Sequence, residues 1–313
     1  MNDNNLVPIF YACDSAFLRY TAVSINSLVS NFSKDRKCEI YILNSDIKDN
    51  EKQILDVYNR ENVKIIFVDV KEQLVNIGKD LPLRDYYSKT TYFRLFIAKM
   101  FPQFDKAIYI DSDTIVLGDM AQFFDTQIGD NFVGACREQV MVQTDVFGEY
   151  VEQVLGIDRN NYFNAGVLLI NCKKFREENV LGQFINLLSI YNFVVTQDED
   201  YLNVICEDKV YWIDQSWNTE VYGKIPVREK DIKIIHYIMT SKPWHYSDCR
   251  LEKYFWKYAK STSVYDKIDE DFNKYSDEQR ESDKASAIRL VNTAISEINR
   301  EDRYLKRINK LAQ

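Results

Sequence analysis

The sequence predicts an α/β protein, a mainly parallel central sheet flanked by helices with a helical C-terminal extension. Three observations carry this. Short apolar, β-branched runs alternate with stretches whose apolar residues recur every three or four positions, the pattern of βαβ units. One such run, residues 106–110 (KAIYI), is apolar at nearly every position, as expected of a strand buried on both faces. From residue 262 to 313 the composition changes: Pro, Gly, Cys and Trp disappear, and 10 Lys/Arg stand against 11 Asp/Glu.

The elements follow in order. Residues 6–13 (LVPIFYAC) read as a buried strand, and Leu18, Ala22, Ile25, Val29 and Phe32 then mark a helix. Residues 38–43 (CEIYIL) form a second strand, about 48–60 a helix, and 63–70 (VKIIFVDV) a third strand. A longer loop ends near Tyr87. A helix over about 88–100 leads across Pro102 into the strand at 106–110. Further strands are expected at 132–136, 166–170 and 232–236, and helices at 181–191 and 198–206. Beyond 262, Ile288, Val291, Ile295, Ile298, Leu305 and Ile308 predict one long amphipathic helix after a charged connector. That helix either packs back on the domain or serves a dimer or partner. Asp302 interrupts its stripe, which argues against a long coiled coil. The division is a domain at 1–261 and an extension at 262–313.

Composition excludes several classes. A chain of 313 residues buries a substantial core, and 46% hydrophobic with 28% charged residues excludes wholesale disorder. A net charge of −8 removes the electrostatic footprint of a nucleic-acid binder, so a phosphorylated ligand needs a local basic pocket or a bound cation. Residues 1–5 are polar, without the basic-then-apolar pattern of a signal peptide, and no segment reaches the ~18 apolar residues of a membrane span. Cys13, Cys38, Cys136, Cys172, Cys206 and Cys249 lie far apart with no CxxC pair, which suggests reduced, partly buried thiols in a cytoplasmic protein. With two histidines and no ligand-spaced cysteines, a zinc site is not expected.

The chemistry gathers at strand ends. Asp111-Ser112-Asp113 directly follows the buried strand, where open α/β sheets bind ligands. Two carboxylates so close repel unless a cation sits between them, and hard divalent ions such as Mg²⁺ or Mn²⁺ take such oxygens. The same spacing at Asp198-Glu199-Asp200 and Asp269-Glu270-Asp271 follows no buried strand. His236 ends the strand IKIIH and qualifies as a third ligand; otherwise it is a structural histidine. Lys242 would meet a phosphate as a point charge, or lie on the surface. Arg94, between Phe93 and Leu95, faces solvent or pairs with an anion. Asn164 precedes an apolar strand, in what is either a turn or a ligand loop. Asp198, Glu199 and Asp200 open a helix, where carboxylates are favoured electrostatically. Asp14 and Ser15 either cap the first helix or, with Cys13, border a ligand at the sheet's carboxyl edge.

Seven segments together resemble family 8 glycosyltransferases, the group of bacterial lipopolysaccharide galactosyl- and glucosyltransferases and glycogenin. They are FYACDSAF (10–17), KTTYFRLF (89–96), AIYIDSDTIV (107–116), FVGACRE (132–138), YFNAGVLLIN (162–171), TQDEDYLN (196–203) and IIHYIMTSKPWH (234–245), in colinear order across roughly residues 6–250. The resemblance implies a GT-A (Rossmann-like) domain, a UDP-glucose or UDP-galactose donor, and Mn²⁺, or else Mg²⁺, held by Asp111, Asp113 and His236. It implies a diphosphate contact for Lys242. It sets Arg94, Ser112 and the segment Tyr11, Ala12, Cys13, Asp14 and Ser15 along the nucleotide and donor, and Asn164, Ala165, Asp198 and Glu199 around the donor sugar. The family retains anomeric configuration, so an α-linked product is expected, by a covalent intermediate or by front-face attack.

Three positions depart from the pattern. Glu199 stands where many relatives carry Gln, Cys13 where many carry Asp or another polar residue, and Met239 where many carry Gly. A glycan on a lipid, a wall polymer or a glycoprotein is the expected acceptor. The near-balanced charge of the tail suggests at most peripheral contact with the inner face of the membrane. The competing readings are a sugar-nucleotide-binding partner subunit without productive transfer, and a phosphohydrolase using the same aspartates.

Overall fold

The computed structural model describes residues 5–73 and 89–311. The loop expected to end near Tyr87 and most of the polar start, residues 1–4, lie outside the described residues. The strands are β1 Leu6–Ala12, β2 Lys37–Asn44, β3 Val63–Asp69, β4 Ala107–Ile110, β5 Thr114–Val116, β6 Val133–Arg137, β7 Phe163–Ile170, β8 Val210–Trp212, β9 Thr219–Glu220 and β10 Ile234–His236. Among the described residues seven of them form one sheet in the order β3-β2-β1-β4-β7-β6-β8. Neighbours are parallel except at β7, which is antiparallel to both β4 and β6 and so runs against the other six.

Alternation along β4 explains its apolar sequence. Ala107 and Tyr109 enter one hydrophobic cluster, while Ile108 and Ile110 enter another on the opposite face. The helix Leu18–Asn31 packs on the second face through Leu18, Ala22, Ile25, Leu28 and Val29. A third cluster, with Trp244 stacked on Tyr20 at 4.1 Å, joins that helix to β10 and to the helix Glu252–Ala259.

Several expectations are corrected. The strand at 232–236 shortens to β10 and leaves the large sheet for a three-stranded one, β5-β10-β9. The helix at 48–60 is a turn of α-helix, Asp49–Lys52, followed by a 3₁₀ stretch, Gln53–Tyr58. Residues Lys89–Phe96 are also 3₁₀, and α-helix begins only at Ile97. Five consecutive residues there, Tyr92 to Phe96, are buried, which one face of an α-helix cannot provide. The apolar wall of short helices at Gln139–Gln143 and Asp145–Tyr150 had no periodicity long enough to read.

The extension is three helices rather than one: Tyr265–Lys274, Asp277–Asn299 and Tyr304–Leu311. Ser276 breaks the first from the second by a reciprocal cap, its Oγ accepting from Gln279 N–H at 3.2 Å while Gln279 Oε1 accepts from Ser276 N–H at 2.9 Å. Leu290, Ala294 and Tyr304 join the main apolar cluster, and the Tyr191 hydroxyl donates to Glu297. Ile288 and Ile295 point outward. No helix among the described residues is long and apolar enough to cross a membrane. All six cysteines are free and buried.

Ala294 is fully buried, so Ala294→Asp should lower stability by about 3 kcal/mol or more, whereas Ile295→Asp, on the exposed face, should change it by no more than about 0.5 kcal/mol. Urea midpoints of the two variants, equal within error, would show that the extension is not docked.

Candidate active site

Asp111 leaves the end of β4, and the chain passes through Ser112 and Asp113 straight into β5. Strand β10 pairs with β5 so that His236 sits opposite Thr114, and Tyr237 N–H donates to the Asp113 carbonyl at 3.0 Å. That ladder delivers a distant histidine to the two aspartates. One ligand atom from each of Asp111, Asp113 and His236 falls within a 4.8 Å span. His236 Nε2 is 3.2 Å from Asp113 Oδ1 and 3.9 Å from Asp111 Oδ2. Asp113 Oδ1 is buried without a hydrogen-bond partner. A hard divalent cation fits this set: carboxylate oxygens and an imidazole, one oxygen orphaned, at the carboxyl edge of a sheet. Gly166 closes the back, where any Cβ would overlap His236 Cε1 and lie 2.7 Å from Asp111 Oδ2.

Two cations border the aspartates. Lys242 Nζ donates to Asp113 Oδ2 at 2.6 Å and to the Tyr237 carbonyl, which commits two of its three N–H groups. Against the cost of burial, the Lys242 ammonium holds the Asp113 carboxyl well below the usual carboxylate range. Arg94 is buried, with Nε 2.9 Å from Asp198 Oδ2, a terminal nitrogen 3.4 Å from Asp111 Oδ1, and its plane 4.5 Å over the Tyr109 ring. Its hydrogen bonds go to the carbonyls of Thr91, from Nε at 2.8 Å, and Ala165, so its contact with Asp198 is an ion pair in which Asp198 Oδ2 accepts no hydrogen bond. The arginine between two apolar neighbours thus pairs with anions rather than solvent.

Because β7 runs antiparallel, its start rather than its end lies at this edge, and that puts Asn164 in the cavity. Asn164 Nδ2 donates to Glu138, and its Oδ1 accepts from Gly166 N–H at 2.9 Å and from Asn218 Nδ2 at 2.7 Å. Glu199 Oε2 accepts from Ala165 N–H at 2.7 Å. Burial, then the Glu138 charge, pushes the Glu199 carboxyl well above its ordinary range. Burial likewise raises Asp198 to about 7, with Arg94 opposing and Asp111 adding. Burial and the Glu138 charge raise Glu220 as well, and its Oε2 accepts from Gln139 N–H at 2.9 Å. Asp198 and Glu199 open the helix Asp198–Ile205, and Gln197 before it holds a positive φ of +58°.

One cavity is lined by Ala12, Asp14, Arg94, Asp111, Ser112, Asp113, Asn164, Asp198, Glu199, His236 and Lys242. Three expected residues stand outside its lining. Tyr11 points into the core, its hydroxyl 3.0 Å from Ser24 Oγ; Ser15 bonds Glu51 and, through its N–H, Asp46; Ala165 contributes backbone groups only. Strand alternation sends Tyr11 and Ala12 to opposite faces, which the segment's position alone did not distinguish. Asp200 is tied up by the hydroxyls of Tyr150 and Tyr162. Cys13 borders the cavity as a thiol, pushed up to about 12 by burial. Met239 holds the left-handed conformation, φ +57°, that a glycine would take freely, so the loop keeps its turn despite the larger residue.

Sequence reasoning missed Glu138 and the apolar wall of Val140, Met141, Phe147 and Leu290, which line the cavity, and Asn218 and Glu220, which are buried behind it against Asn164, His236 and Glu138. Glu138 closed a quoted segment, FVGACRE, but nothing in its spacing marked it. Leu290 comes from the helix Asp277–Asn299, so the extension reaches the cavity itself.

The model of the Glycosyl transferase family 8 matches residues 8–248. A protein of Haemophilus influenzae, named as a glycosyltransferase of unstated substrate, is 34% identical over 247 residues, covering 76% of this chain and 72% of its own. The lipopolysaccharide 1,3-galactosyltransferase of Salmonella typhimurium is 26% identical over 278 residues, 84% of this chain and 80% of that one. The solved galactosyltransferase LgtC, in complex with donor and acceptor sugar analogues, superposes with a TM-score of 0.68 at 25% identity, over 82% of this chain and 96% of that one.

The Asp198 carboxyl gives the metal-free protein a pH signature. Its folded pKa of about 7 lies above the ordinary 3.8, so its stabilising protonation is fully present below 3.8 and is lost as pH rises through about 7. Over that window the urea midpoint of Asp198→Asn should fall less steeply than that of wild type. Parallel pH profiles would contradict the assignment.

Proposed function

Since the chain belongs to glycosyl transferase family 8 and has the GT-A fold, we propose that it is a retaining hexosyltransferase. It moves glucose or galactose from a UDP-sugar to a hydroxyl of a lipid-, wall- or protein-linked glycan and leaves an α-linkage. The carrying observation is the convergence of Asp111, Asp113 and His236 within 4.8 Å beside a lysine that keeps an uncommitted donor. Relatives named as lipopolysaccharide glucosyl- and galactosyltransferases favour a hexose donor. The same reading makes the protein cytoplasmic, with at most peripheral membrane contact.

Mn²⁺, or Mg²⁺ in its place, would be held by the three ligands and would supply Lewis-acid stabilisation of the departing diphosphate. Lys242 aims its remaining N–H at the same phosphates, a preorganised positive charge in a site of low dielectric. Ala12, Asp14 and Ser112 lie along the nucleotide. Arg94, fixed by two carboxylates and two carbonyls, holds Asp198 in place. Asp198 and Asn164 orient the sugar hydroxyls, the carboxyl as an acceptor and the amide N–H as a donor.

Glu199 beside the anomeric carbon has two possible roles, nucleophile or positioning group. The bond that its Oε2 accepts from Ala165 N–H at 2.7 Å fixes the carboxyl in place and favours the second. We assign the apolar wall that includes Leu290 to the acceptor side.

Incubation with UDP-glucose or UDP-galactose and Mn²⁺ should release UDP slowly without acceptor and faster with a glycan acceptor, and EDTA should abolish both. Release of inorganic phosphate would identify a phosphohydrolase, and donor binding with no UDP release a partner subunit. Glu199→Gln should lower kcat by about tenfold or less, within the range for a positioning interaction. Complete loss of transfer with UDP binding intact would establish a covalent nucleophile.

A further inference from the structure

We propose that Asn218 is a positioning residue that fixes the ring of His236 with its proton on Nδ1, so that Nε2 presents a lone pair to the cation site. The proposal rests on the metal-site reading above and extends it to a residue outside the ligand triad.

The argument starts from a group whose role is unambiguous. A backbone N–H can only donate. Gly166 N–H lies 2.9 Å from one terminal atom of Asn164, so that atom is the oxygen, and the amide nitrogen of Asn164 correspondingly reaches the Glu138 carboxylate. Asn218 approaches the same oxygen at 2.7 Å and must do so with its NH₂ group. Its own oxygen is thereby turned toward His236, 3.0 Å from Nδ1. A carbonyl oxygen brings no proton to that contact, so Nδ1 carries it. In the neutral ring Nε2 is then unprotonated.

The consequence appears on the far side of the ring. Nε2 faces Asp113 Oδ1 at 3.2 Å and Asp111 Oδ2 at 3.9 Å, and Asp113 Oδ1 has no hydrogen-bond partner. Acceptors confront an acceptor, an arrangement that a cation makes favourable. Histidine ligands to metals generally donate their other N–H to an oxygen, which fixes tautomer and orientation. Asn218 is suited to that task because it is fully buried and sits between two rigid anchors. Glu138, at the far end of the chain of bonds, is held by Val140 N–H at 2.9 Å, and the ring itself lies against Gly166, which has no room for a side chain. The same amide chain joins the donor-sugar residue Asn164 to the histidine, so the polarity of one sets the polarity of the other.

The test uses the intact chain and exploits its two histidines, His236 and His245. Nitrogen-15 NMR of the imidazoles, assigned with His245→Gln, should show the His236 proton on Nδ1 in both metal-free and Mg²⁺-loaded protein. The neutral tautomer protonated on Nε2 would overturn the proposal. Mn²⁺ affinity measured by EPR adds an independent readout. Asn218→Leu, which cannot accept, should weaken Mn²⁺ binding by about 10- to 100-fold. Asn218→Asp, which still accepts from Nδ1 but cannot donate to Asn164, should keep Mn²⁺ affinity within about threefold, as expected when the accepting oxygen is retained, while raising the KM for the UDP-sugar. A folded Asn218→Leu protein with wild-type affinity would sink the idea. Should Leu prevent folding, the wild-type tautomer and the Asp variant decide it. Wild-type protein that binds no Mn²⁺ would instead overturn the metal-site reading, and the NMR spectrum would still report where the proton sits.

Discussion

Charge compensation at the carboxyl edge of the sheet governs this molecule. Asp111, Asp113, Asp198, Glu199 and Glu138 all line one cavity in a protein that is already acidic. Arg94 and Lys242 balance only part of that charge, and each is itself drawn out of water. The remainder is handled in two ways. Some carboxyls, Glu199 and Asp198 among them, are pushed toward their neutral forms, while Asp113 is held ionised and one of its oxygens is left without a partner. Buried carboxylates rarely tolerate such an arrangement unless something positive completes it.

The fold exists to aim those groups. Asp111 and Asp113 are consecutive with the end of one sheet and the start of another, so their separation is set by backbone geometry rather than by side-chain freedom. The small sheet β5-β10-β9 then brings His236 in by strand register. Reversal of β7 turns Asn164 and the Gly166 backbone toward the same edge. The helix Asp277–Asn299, which looks like an appendage in sequence, closes the cavity with Leu290. Its docking on the main cluster makes the extension part of the site's architecture.

Much of this was legible in the residues. The parallel half of the sheet, β1 to β4, follows from apolar runs separated by helical periodicity, and Asp111, Asp113, His236 and Arg94 stand out because polar groups interrupt or end those runs, whereas Lys242 is singled out only by the family resemblance. Their chemistry was readable because each is costly where it stands. Glu138, Asn218 and Glu220 were not readable, since nothing local distinguishes SWNTE from any polar turn. Tyr11 and Ser15 were legible as neighbours of the site but not as to which way they point.

The sequence by itself determined the class of fold, the strand-end carboxylates and the histidine that ends another strand, because hydrophobic periodicity and the cost of burying charge are local properties of a chain. Only the tertiary structure decided that β7 runs backwards, that the C-terminal extension is three helices of which the middle one reaches the cavity, and that a single buried asparagine links Asn164 to His236. Those facts depend on strand register and on contacts between residues far apart in the chain, and such pairings are settled by packing in three dimensions rather than by any pattern along one.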